Sequence, residues 1–598
     1  MPGPDVLSDA RMTPRIAAIG GTLAALAASL GMLLLRSTLQ VRSAPERLME
    51  WLLLFVPPAV FEATLQRLGF DAKRYGLDAA ILATVGLLAL LGYRALRSNL
   101  SLLGLAGVGV GLWLFVMTVI MPLTSAGFFA SELLDGKRTV IGGYLAVALT
   151  YAGVLGLVNI WVRKQALEAQ GPRALVSELS WEGGNGWEGV PRRAALGLLG
   201  AAGLAYIATY AMAIFLPRSG RVASVVLSDP QEPLPSGGID PPSPHPNLVG
   251  TPMTTASTGS APAQSAAAAL PEPTTLRQLA RDKDGAVLPS GRRPGELASP
   301  TTSNDAFYIV TKNAAGDPII HPQDWRVVVD GEVERPFQLD YATLRKLPGV
   351  ELTKTLECIS NFTAKPELAP FGSELISTAR WKGVRVIDIL QLVGGVKAGA
   401  DWLAVLAADE FTSAVPMEVA NDPDTVLVYE MNGDPLPREH GYPARLLVPG
   451  RYGMKSAKWV VGLRPLRREF VDWYGQRNWS KTAVVRTMSR IDLPAPGATL
   501  RPGDQRIAGI AYAGTRGIQK VEFSADGGEI WETAELLERP AGRDTWVRWQ
   551  GRFPVKPGAR LKLMARATDG TGELQVEAFS LPEPDGGTGW PSVDVKAG

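Results

Sequence analysis

KTLECISNFTAKPEL, residues 354–368, contains Cys358, the single cysteine in a chain of 598 residues. A lone thiol cannot form an internal disulfide, so Cys358 is a buried filler, a nucleophile or a ligand to a soft metal centre. The sequence around it has to decide among these three roles.

The length and the distribution of apolar residues predict several domains of different kinds. Single hydrophobic cores stop growing at roughly 250–300 residues, so 598 residues exceed one core. The net charge is +2 and the hydrophobic content is 46%, yet the apolar residues concentrate in the first 220 positions. This near-neutral charge predicts no nucleic-acid partner.

Five charge-free apolar runs in the first part of the chain are candidates for crossing a membrane, which takes about 20 residues. They cover residues 16–35, 79–93 (with 75–77 added to reach full length), 98–131, 139–162 and 194–217. A sixth candidate, 51–69, contains Pro57-Pro58 and becomes amphipathic after Phe61, so we interpret it as interfacial. Soluble helices normally keep a polar face. The sequence therefore predicts a membrane domain over residues 1–217.

The basic loop between the last two runs predicts the orientation of this domain. It is the richest in Lys and Arg of the region, and positive charge favours the cytoplasmic side. Its basic residues are Arg163, Lys164, Arg173, Arg192 and Arg193. Residues after Pro217 would then be extracytoplasmic, in a multi-pass protein of a bacterial-type cell membrane. Arg192-Arg193 before an Ala/Gly-rich apolar helix also resembles a twin-arginine export signal.

The rest of the chain reads as a linker and two folded domains. Residues 218–302 are rich in Pro, Ser and Ala, and such a composition predicts a disordered linker. Residues 303–482 mix strand-like runs at 324–331 and 424–436 with a helical run at 386–395. Within 424–436, Asn432-Gly433 predicts a tight hairpin.

The sequence pattern changes near residue 483, from mixed strand-like and helical runs to short strand-like runs. Short strands separated by Gly and Pro turns continue to about residue 582, and this regular spacing predicts a β-sandwich of about 100 residues. We interpret residues 583–598 as a tail.

Three separated motifs identify the middle domain. In order they are TLECISN at 355–361, ARWKGVRVIDILQLVGG at 379–395, and YEMNGDPLPREHGYPARLLVPGRYGMKSAKW at 429–459. Together they resemble the molybdenum-cofactor domain of the sulfite oxidase family, an α+β fold. VEFSADGGEIWETAEL at 521–536 looks like the immunoglobulin-like dimerisation domain that follows it in that family, which implies a homodimer by analogy.

The resemblance implies a role for Cys358 and for the residues around the cofactor. In the family a single cysteine thiolate binds the molybdenum of molybdopterin, and a thiolate is the soft donor such a metal needs. By resemblance, the cofactor contacts would be Asp305, Tyr308, His440, Arg445, Ser456, Ala457 and Lys458. The pterin phosphate also calls for fixed cations, and Arg451 and Lys455 are further candidates, with a solvated basic loop as the alternative.

Two departures from the family leave the substrate open. Phe307-Tyr308 is followed by Ile309-Val310 where sulfite oxidases have an Arg-Asn-His, so the substrate arginine is not found there. Where those enzymes have an active-site tyrosine, this chain has Trp479, with Arg477 close by. The substrate expectation is therefore a sulfite-like oxyanion or a sulfoxide.

Electrons are expected to pass through a separate protein or a small redox carrier. The three histidines, His245, His321 and His440, all lie beyond residue 220, so the membrane region has no pair of histidines to bind a b-type haem. The sequence thus predicts a membrane-anchored molybdenum oxidoreductase that catalyses oxygen-atom transfer outside the cytoplasm. The alternative is a non-catalytic extracytoplasmic binding or assembly module that keeps the same fold.

Overall fold

The computed structural model describes two compact units. The described residues are 12–56, 64, 67, 72–169, 270–276 and 287–598, with gaps at 99, 125, 132, 134–136, 315, 370, 393 and 539–540. The first unit contains the described residues up to 169 and the segment 311–316, and the second contains the other described residues from 270 onward.

The first unit is a set of helices. They are α1 (Pro14–Leu39), α2 (Ala44–Leu52), α3 (Ala72–Arg97), α4 (Leu102–Phe115) and α5 (Lys137–Ala169). A π-helical turn, Val116–Ile120, prolongs α4 to Leu123. Four helices, Pro14–Leu39, Lys73–Arg97, Leu102–Leu123 and Lys137–Gln165, are long and apolar enough to cross a membrane.

These four helices coincide with four of the five predicted spans. The run 98–131 is shorter as a helix than predicted, because the chain turns after Leu123 and Gly127 adopts a positive φ of 74°. The fifth predicted span, 194–217, the Arg192-Arg193 pair and most of the 51–69 segment lie outside the described residues.

Charged side chains gather where α1 ends and α2 begins. Ser43 and Glu46 form a capping box at the start of α2, and the buried Glu46 carboxylate is 3.2 Å from Arg42 Nε. Charged residues of α1 and α2 also contact the segment 311–316. Lys312 Nζ is 3.6 Å from Oε2 of Glu50 in α2, and Nη2 of Arg36 in α1 donates to the Gly316 carbonyl oxygen at 2.8 Å.

The first part of the second unit contains two five-stranded sheets. One has the order β10-β9-β6-β5, with β11 also paired to β9, and the other the order β4-β3-β12-β7-β8. The strands are β1 (Val287–Leu288), β2 (Ile309–Val310), β3 (Arg326–Val329), β4 (Phe337–Asp340), β5 (Val350–Glu357), β6 (Ile376–Arg385), β7 (Trp402–Ala407), β8 (Thr412–Pro416), β9 (Val426–Met431), β10 (Asp434–Pro435), β11 (Arg445–Leu447) and β12 (Val460–Leu466). Short helices α6 (Tyr341–Leu344), α7 (Val386–Gln391) and α8 (Met417–Ala420) connect them.

The local predictions for this domain agree with the structure. The run 324–331 contains β3, and the run 386–395 contains α7. β9 and β10 pair as a hairpin around Asn432 and Gly433, which have φ angles of 54° and 92°. Both sheets pack their inner faces into one apolar core that includes Trp325 and Trp381.

The C-terminal domain is β-rich and consists of two sheets. Their orders are β13-β15-β19-β18 and β14-β21-β20-β16-β17. The strands are β13 (Met488–Leu493), β14 (Thr499–Leu500), β15 (Gly503–Tyr512), β16 (Ile518–Ser524), β17 (Glu532–Thr533), β18 (Glu535–Leu536), β19 (Val547–Val555), β20 (Arg560–Asp569) and β21 (Ser592–Ala597). They share one apolar core, and the immunoglobulin-like assignment stays a prediction.

The structure differs from the expected boundaries at two places. The segment 583–598, interpreted as a tail, contains β21, which lies between β14 and β20 in one sheet and pairs antiparallel with β20. Part of the expected linker 218–302 is also ordered against the second unit: β1 pairs with β2, and the Tyr442 hydroxyl donates to the Pro271 carbonyl oxygen at 2.5 Å. Backbone pairing of this kind depends on distant partners and not on local composition.

Candidate functional site

Cys358 lies where β5 ends, in a turn closed by backbone hydrogen bonds. Its amide donates to the Leu375 carbonyl oxygen at 2.9 Å, and its own carbonyl oxygen accepts from the Asn361 amide at 3.0 Å. The residue is 7% exposed. Next to it, burial raises the pKa of the Glu357 carboxyl to about 8, although one oxygen accepts from Asn361 Nδ2 at 3.0 Å. The strand therefore delivers a nearly buried thiol at a fixed position.

Two tyrosines lie close to this thiol. Burial raises the pKa of Tyr308 well above its usual value, and the charge of Cys358 contributes in the same direction. The pKa of Tyr474 is also raised, by burial first and by Cys358 second. Both phenols therefore keep their protons at neutral pH beside Cys358.

Arg445 provides a buried positive charge. It lies in β11, is 6% exposed, and its guanidinium is 5.4 Å from the centre of the Trp381 ring. Its hydrogen-bond acceptors are backbone carbonyl oxygens, of His440 at 3.1 Å and of Ser456 at 3.2 Å, while its Nε has none among the described residues. Burial lowers the pKa of Arg445 to about 10.

His440 and Lys458 lie within electrostatic range of Arg445, and of these two only Lys458 adds positive charge. His440 Nε2 is 3.2 Å from the Asn304 carbonyl oxygen, and burial lowers the pKa of His440 to about 3, with help from the charges of Arg445 and Lys458. Lys458 Nζ donates to the Glu439 carbonyl oxygen at 2.9 Å, and burial also lowers its pKa. The imidazole is therefore neutral, and a hydrogen bond to a carbonyl requires the proton on Nε2.

The other residues predicted to contact the cofactor differ in how deeply they are buried. Ser456 and Ala457 are buried in the turn beside Arg445, where Ser456 Oγ accepts from the Val448 amide at 3.2 Å. Arg451 is half-buried, its Nε has no hydrogen-bond partner among the described residues, and burial lowers its pKa. Asp305 lies half-buried in the turn beside Asn304.

Lys455 forms an ion pair within the protein. Its Nζ is 2.5 Å from Asp472 Oδ2, and both side chains are buried. Its charge is therefore balanced before any ligand binds, which makes it less suited than Arg445 to hold an anion. The solvated-loop alternative does not describe Lys455, because the residue is 1% exposed.

The residues present fit an anionic, metal-bearing cofactor. A buried guanidinium that meets only backbone oxygens is costly unless an anion completes its partners. Arg445 is such a group. Its charge contributes to the lowered pKa of Lys458, so the two cations lie near each other. Cys358 offers a soft sulfur donor. A phosphate-carrying dithiolene cofactor with one protein thiolate ligand matches this donor set.

Sequence reasoning missed Tyr474 and Trp381. Tyr474 is a buried phenol whose pKa is raised by burial and by Cys358, and its ring centre is 6.2 Å from that of Trp479, whose role stays a prediction. A Tyr five positions before the expected one carries no local signal of its own. Arg477 stacks on Trp473, with 3.5 Å from its guanidinium carbon to the ring centre.

Comparisons with known proteins agree with this reading of the site. Residues 314–474 match the model of the oxidoreductase molybdopterin binding domain, and residues 481–581 match the Mo-co oxidoreductase dimerisation domain. Sulfite oxidase of Gallus gallus is 31% identical over 327 residues, which cover 48% of this chain and 71% of that protein. Sulfite oxidase of Arabidopsis thaliana is 27% identical, covering 48% of this chain and 84% of that protein.

One solved structure is also similar. The crystal structure of the sulfane dehydrogenase SoxCD from Paracoccus pantotrophus has a TM-score of 0.43 and 24% identity, covering 50% of this chain and 80% of that chain.

Fold and site together define a molybdopterin-dependent oxidoreductase, with molybdenum-molybdopterin as its cofactor. The match to most of a curated sulfite oxidase goes further. The chain belongs to the sulfite oxidase family. Its dimerisation domain suggests a homodimer.

Proposed function

We propose that this protein is a membrane-anchored oxidoreductase that transfers an oxygen atom to or from a small substrate on the extracytoplasmic side. The observation that carries the chemistry is that Tyr308 lies within electrostatic range of both the nearly buried Cys358 and the buried Arg445. The alternative of a non-catalytic module gains no support, because a module without cofactor needs neither feature.

Molybdopterin, when bound, supplies a metal that cycles between two oxidation states as one oxygen atom is transferred. Cys358 would hold the metal, and Arg445, Lys458 and the 456–457 turn would hold the pterin and its phosphate. Burial of Cys358, Arg445 and the 456–457 turn excludes water and strengthens electrostatic interactions there. The residues of the chain thus bind and orient the cofactor.

Tyr308 and Tyr474 would orient the substrate. Because their pKa values are raised, both hydroxyls remain protonated at neutral pH and can donate hydrogen bonds to a substrate oxygen. The Tyr474 ring also contacts the rings of Phe411 and Trp473, at 5.8 and 4.9 Å between centres. These apolar surfaces support a sulfoxide as readily as a sulfite-like oxyanion, and we keep both as candidate substrates.

The extracytoplasmic location and the electron partner complete the proposal. Four apolar helices support membrane anchoring, and the basic residues near the C-terminal end of α5, Arg163 and Lys164, support a cytoplasmic location for that end. A separate electron-transfer protein or a small redox carrier would exchange electrons with the cofactor.

The first test is the molybdenum content and activity of the full-length protein, purified in detergent from a host that makes the cofactor. We expect about one molybdenum per chain, and in Cys358→Ser a loss of oxygen-transfer activity of at least about 100-fold, since even indirect partners of metal ligands are worth about 10- to 100-fold. Sulfite oxidation and sulfoxide reduction are assayed side by side.

Ser360→Ala serves as the matched control, since Ser360 is half-buried, lies in the same turn and is not among the residues predicted to contact the cofactor. Its molybdenum content and activity should match those of the wild type. A Cys358→Ser protein with full activity would contradict the assigned role of the thiol.

A further inference from the structure

One carboxylate of the C-terminal domain touches both segments that carry the proposed cofactor contacts. The first segment is β5, which leads directly into Cys358, and the second is the turn that begins at Gly450 and leads into Arg451 and the 456–458 residues. The carboxylate belongs to Asp544, just before β19. It is 3% exposed.

Each oxygen of Asp544 has partners on different elements. Oδ2 accepts from Lys354 Nζ, in β5, and from the Gly450 amide at 2.9 Å. Oδ1 accepts from the Tyr512 hydroxyl, in β15, at 2.7 Å. The Asp544 carbonyl oxygen accepts in addition from the Thr355 amide at 2.9 Å. One residue therefore joins β5, a sheet of the C-terminal domain and the turn from Gly450 to Lys458, which we call the cation turn.

Packing around Asp544 leaves this arrangement little freedom. Tyr512 and Trp546 of the C-terminal domain belong to the same buried apolar cluster as Ile359, next to Cys358, and Met454, in the cation turn. Gly450 adopts a φ of +64°, and a Cβ there would lie 2.9 Å from Thr515 Oγ1. A side chain at position 450 would therefore crowd Thr515 of the C-terminal domain, and only glycine fits the turn without adjustment.

The negative charge of Asp544 balances the buried positive charge of Lys354. The Lys354 side chain is fully buried, and a buried ammonium without a counter-ion is strongly unfavourable. Lys354 lies four residues before Cys358, so a strand that moved to relieve an unpaired Lys354 would move the thiol with it. The pair is therefore tied to the geometry of the site as well as to the stability of the fold.

We propose that Asp544 is a positioning residue for the cofactor: it sets the separation between Cys358 and the cation turn that starts at Gly450. The C-terminal domain, on this view, helps to retain molybdopterin in each chain, apart from any part in dimerisation. This inference rests on the proposed roles of Cys358, Arg445 and the 456–458 residues.

The test compares cofactor retention in Asp544→Asn and wild type, with the full-length protein purified in detergent from a cofactor-making host. Molybdenum and pterin are quantified per folded chain, and the release of pterin is followed over time at a temperature where circular dichroism shows every variant folded. We expect about tenfold faster release from Asp544→Asn, the usual order for a residue that holds a metal ligand in place.

Asp569→Asn is the matched control. Asp569 is a buried carboxylate of the same domain, 2.7 Å from Arg516 Nε, and its hydrogen bonds connect neither β5 nor the cation turn. It should lower the melting temperature without changing pterin release. Asp544→Glu keeps the charge but displaces the carboxylate by one methylene, so a positioning role predicts faster release in this variant too.

Tyr512→Phe decides the question if Asp544→Asn does not fold, since it removes one hydrogen bond from the same carboxylate. About threefold faster release is expected from the loss of one such bond. Folded Asp544→Asn or Tyr512→Phe protein that releases pterin at the wild-type rate would overturn the inference. Wild-type protein that contains no pterin would instead contradict the proposed function, and the two failures are therefore distinguishable.

Discussion

At the scale of single residues, the buried charge of Arg445 lowers the stability of the cofactor-free protein and favours binding of an anion. Its buried guanidinium has only backbone oxygens as acceptors among the described residues, so it gains its full set of partners when an anion binds. We predict that Arg445→Met lowers pterin content several-fold while leaving the cofactor-free protein as stable as the wild type or up to about 2 kcal/mol more stable, because an uncompensated charge leaves the interior. Pterin fluorescence and denaturant unfolding of the cofactor-free protein measure the two effects.

Arg464→Met is the control for this prediction. Arg464 forms two hydrogen bonds with Asp330, at 2.6 and 2.8 Å, so its charge is already balanced. The substitution should destabilise the cofactor-free protein and leave pterin content per folded chain unchanged. An Arg445→Met protein that binds pterin as well as the wild type would show that the guanidinium does not face the cofactor.

His440 predicts a pH dependence of stability. Its folded pKa of about 3 lies below the ordinary value of 6.5, so the unfolded chain binds a proton that the folded chain does not as pH falls below 6.5. The stabilising contribution is therefore complete above about pH 6.5 and is lost progressively toward pH 3, with a slope of at most about 1.4 kcal/mol per pH unit.

The measurement is the free energy of unfolding of the cofactor-free protein between pH 5 and 7, for the wild type and for His440→Gln. The glutamine variant should have the shallower slope, because it has no proton to take up. Equal slopes would mean that the imidazole is protonated in the folded state, contrary to its burial between Arg445 and Lys458.

At the scale of elements, the β9–β10 hairpin was predictable because its determinants are local. Asn432 and Gly433 adopt the positive φ angles that a two-residue turn demands, and Asn432 Oδ1 further accepts from the Arg380 amide at 3.0 Å. We predict that Gly433→Ala destabilises the protein by about 1 kcal/mol, since φ is +92° and the surrounding space is open. Thermal unfolding measures the change.

Gly433→Asn is the matched comparison, because asparagine tolerates positive φ better than alanine. It should cost clearly less than the alanine variant. If both cost the same, the effect comes from the side chain itself and not from the backbone angle.

Other elements depended on partners that their own sequence does not indicate. The basic run containing Lys455 resembled a phosphate-binding loop, yet Lys455 pairs with Asp472. The segment 592–597 looked like a tail, yet it forms β21 because β20 and β14 pair with it on its two sides. In both cases a distant segment supplied the partner.

At the scale of the whole molecule, the helices of the first unit present apolar side chains outward. In α1 these include Ile19, Leu23, Leu26, Leu30 and Leu33, each more than half exposed. Water would oppose such a surface, whereas a lipid bilayer accommodates it. If all four helices cross the membrane, the chain returns to the side of its N-terminus, and the proposed extracytoplasmic C-terminus then needs the fifth predicted span, 194–217.

Reporter fusions test this topology. A fusion after Ala169 should be active with a reporter that works in the cytoplasm, and a fusion after Gly598 should be active with one that works only outside it. A fusion at the N-terminus is the control and should behave like the one after Ala169. The same reporter active at Ala169 and at Gly598 would exclude a crossing by residues 194–217.

By itself, the sequence determined the features that local chemistry and composition encode: the apolar helices, the hairpin at Asn432-Gly433, the lone Cys358 and the three motifs that led to the family. The tertiary structure alone decided which charges are paired. In the folded chain Asp544 pairs with Lys354, 190 residues away, Lys455 forms an ion pair with Asp472, and Tyr474 lies near Cys358. Periodicity and turn chemistry extend over a few residues, whereas the pairing of buried charges is set by which distant strands share a core.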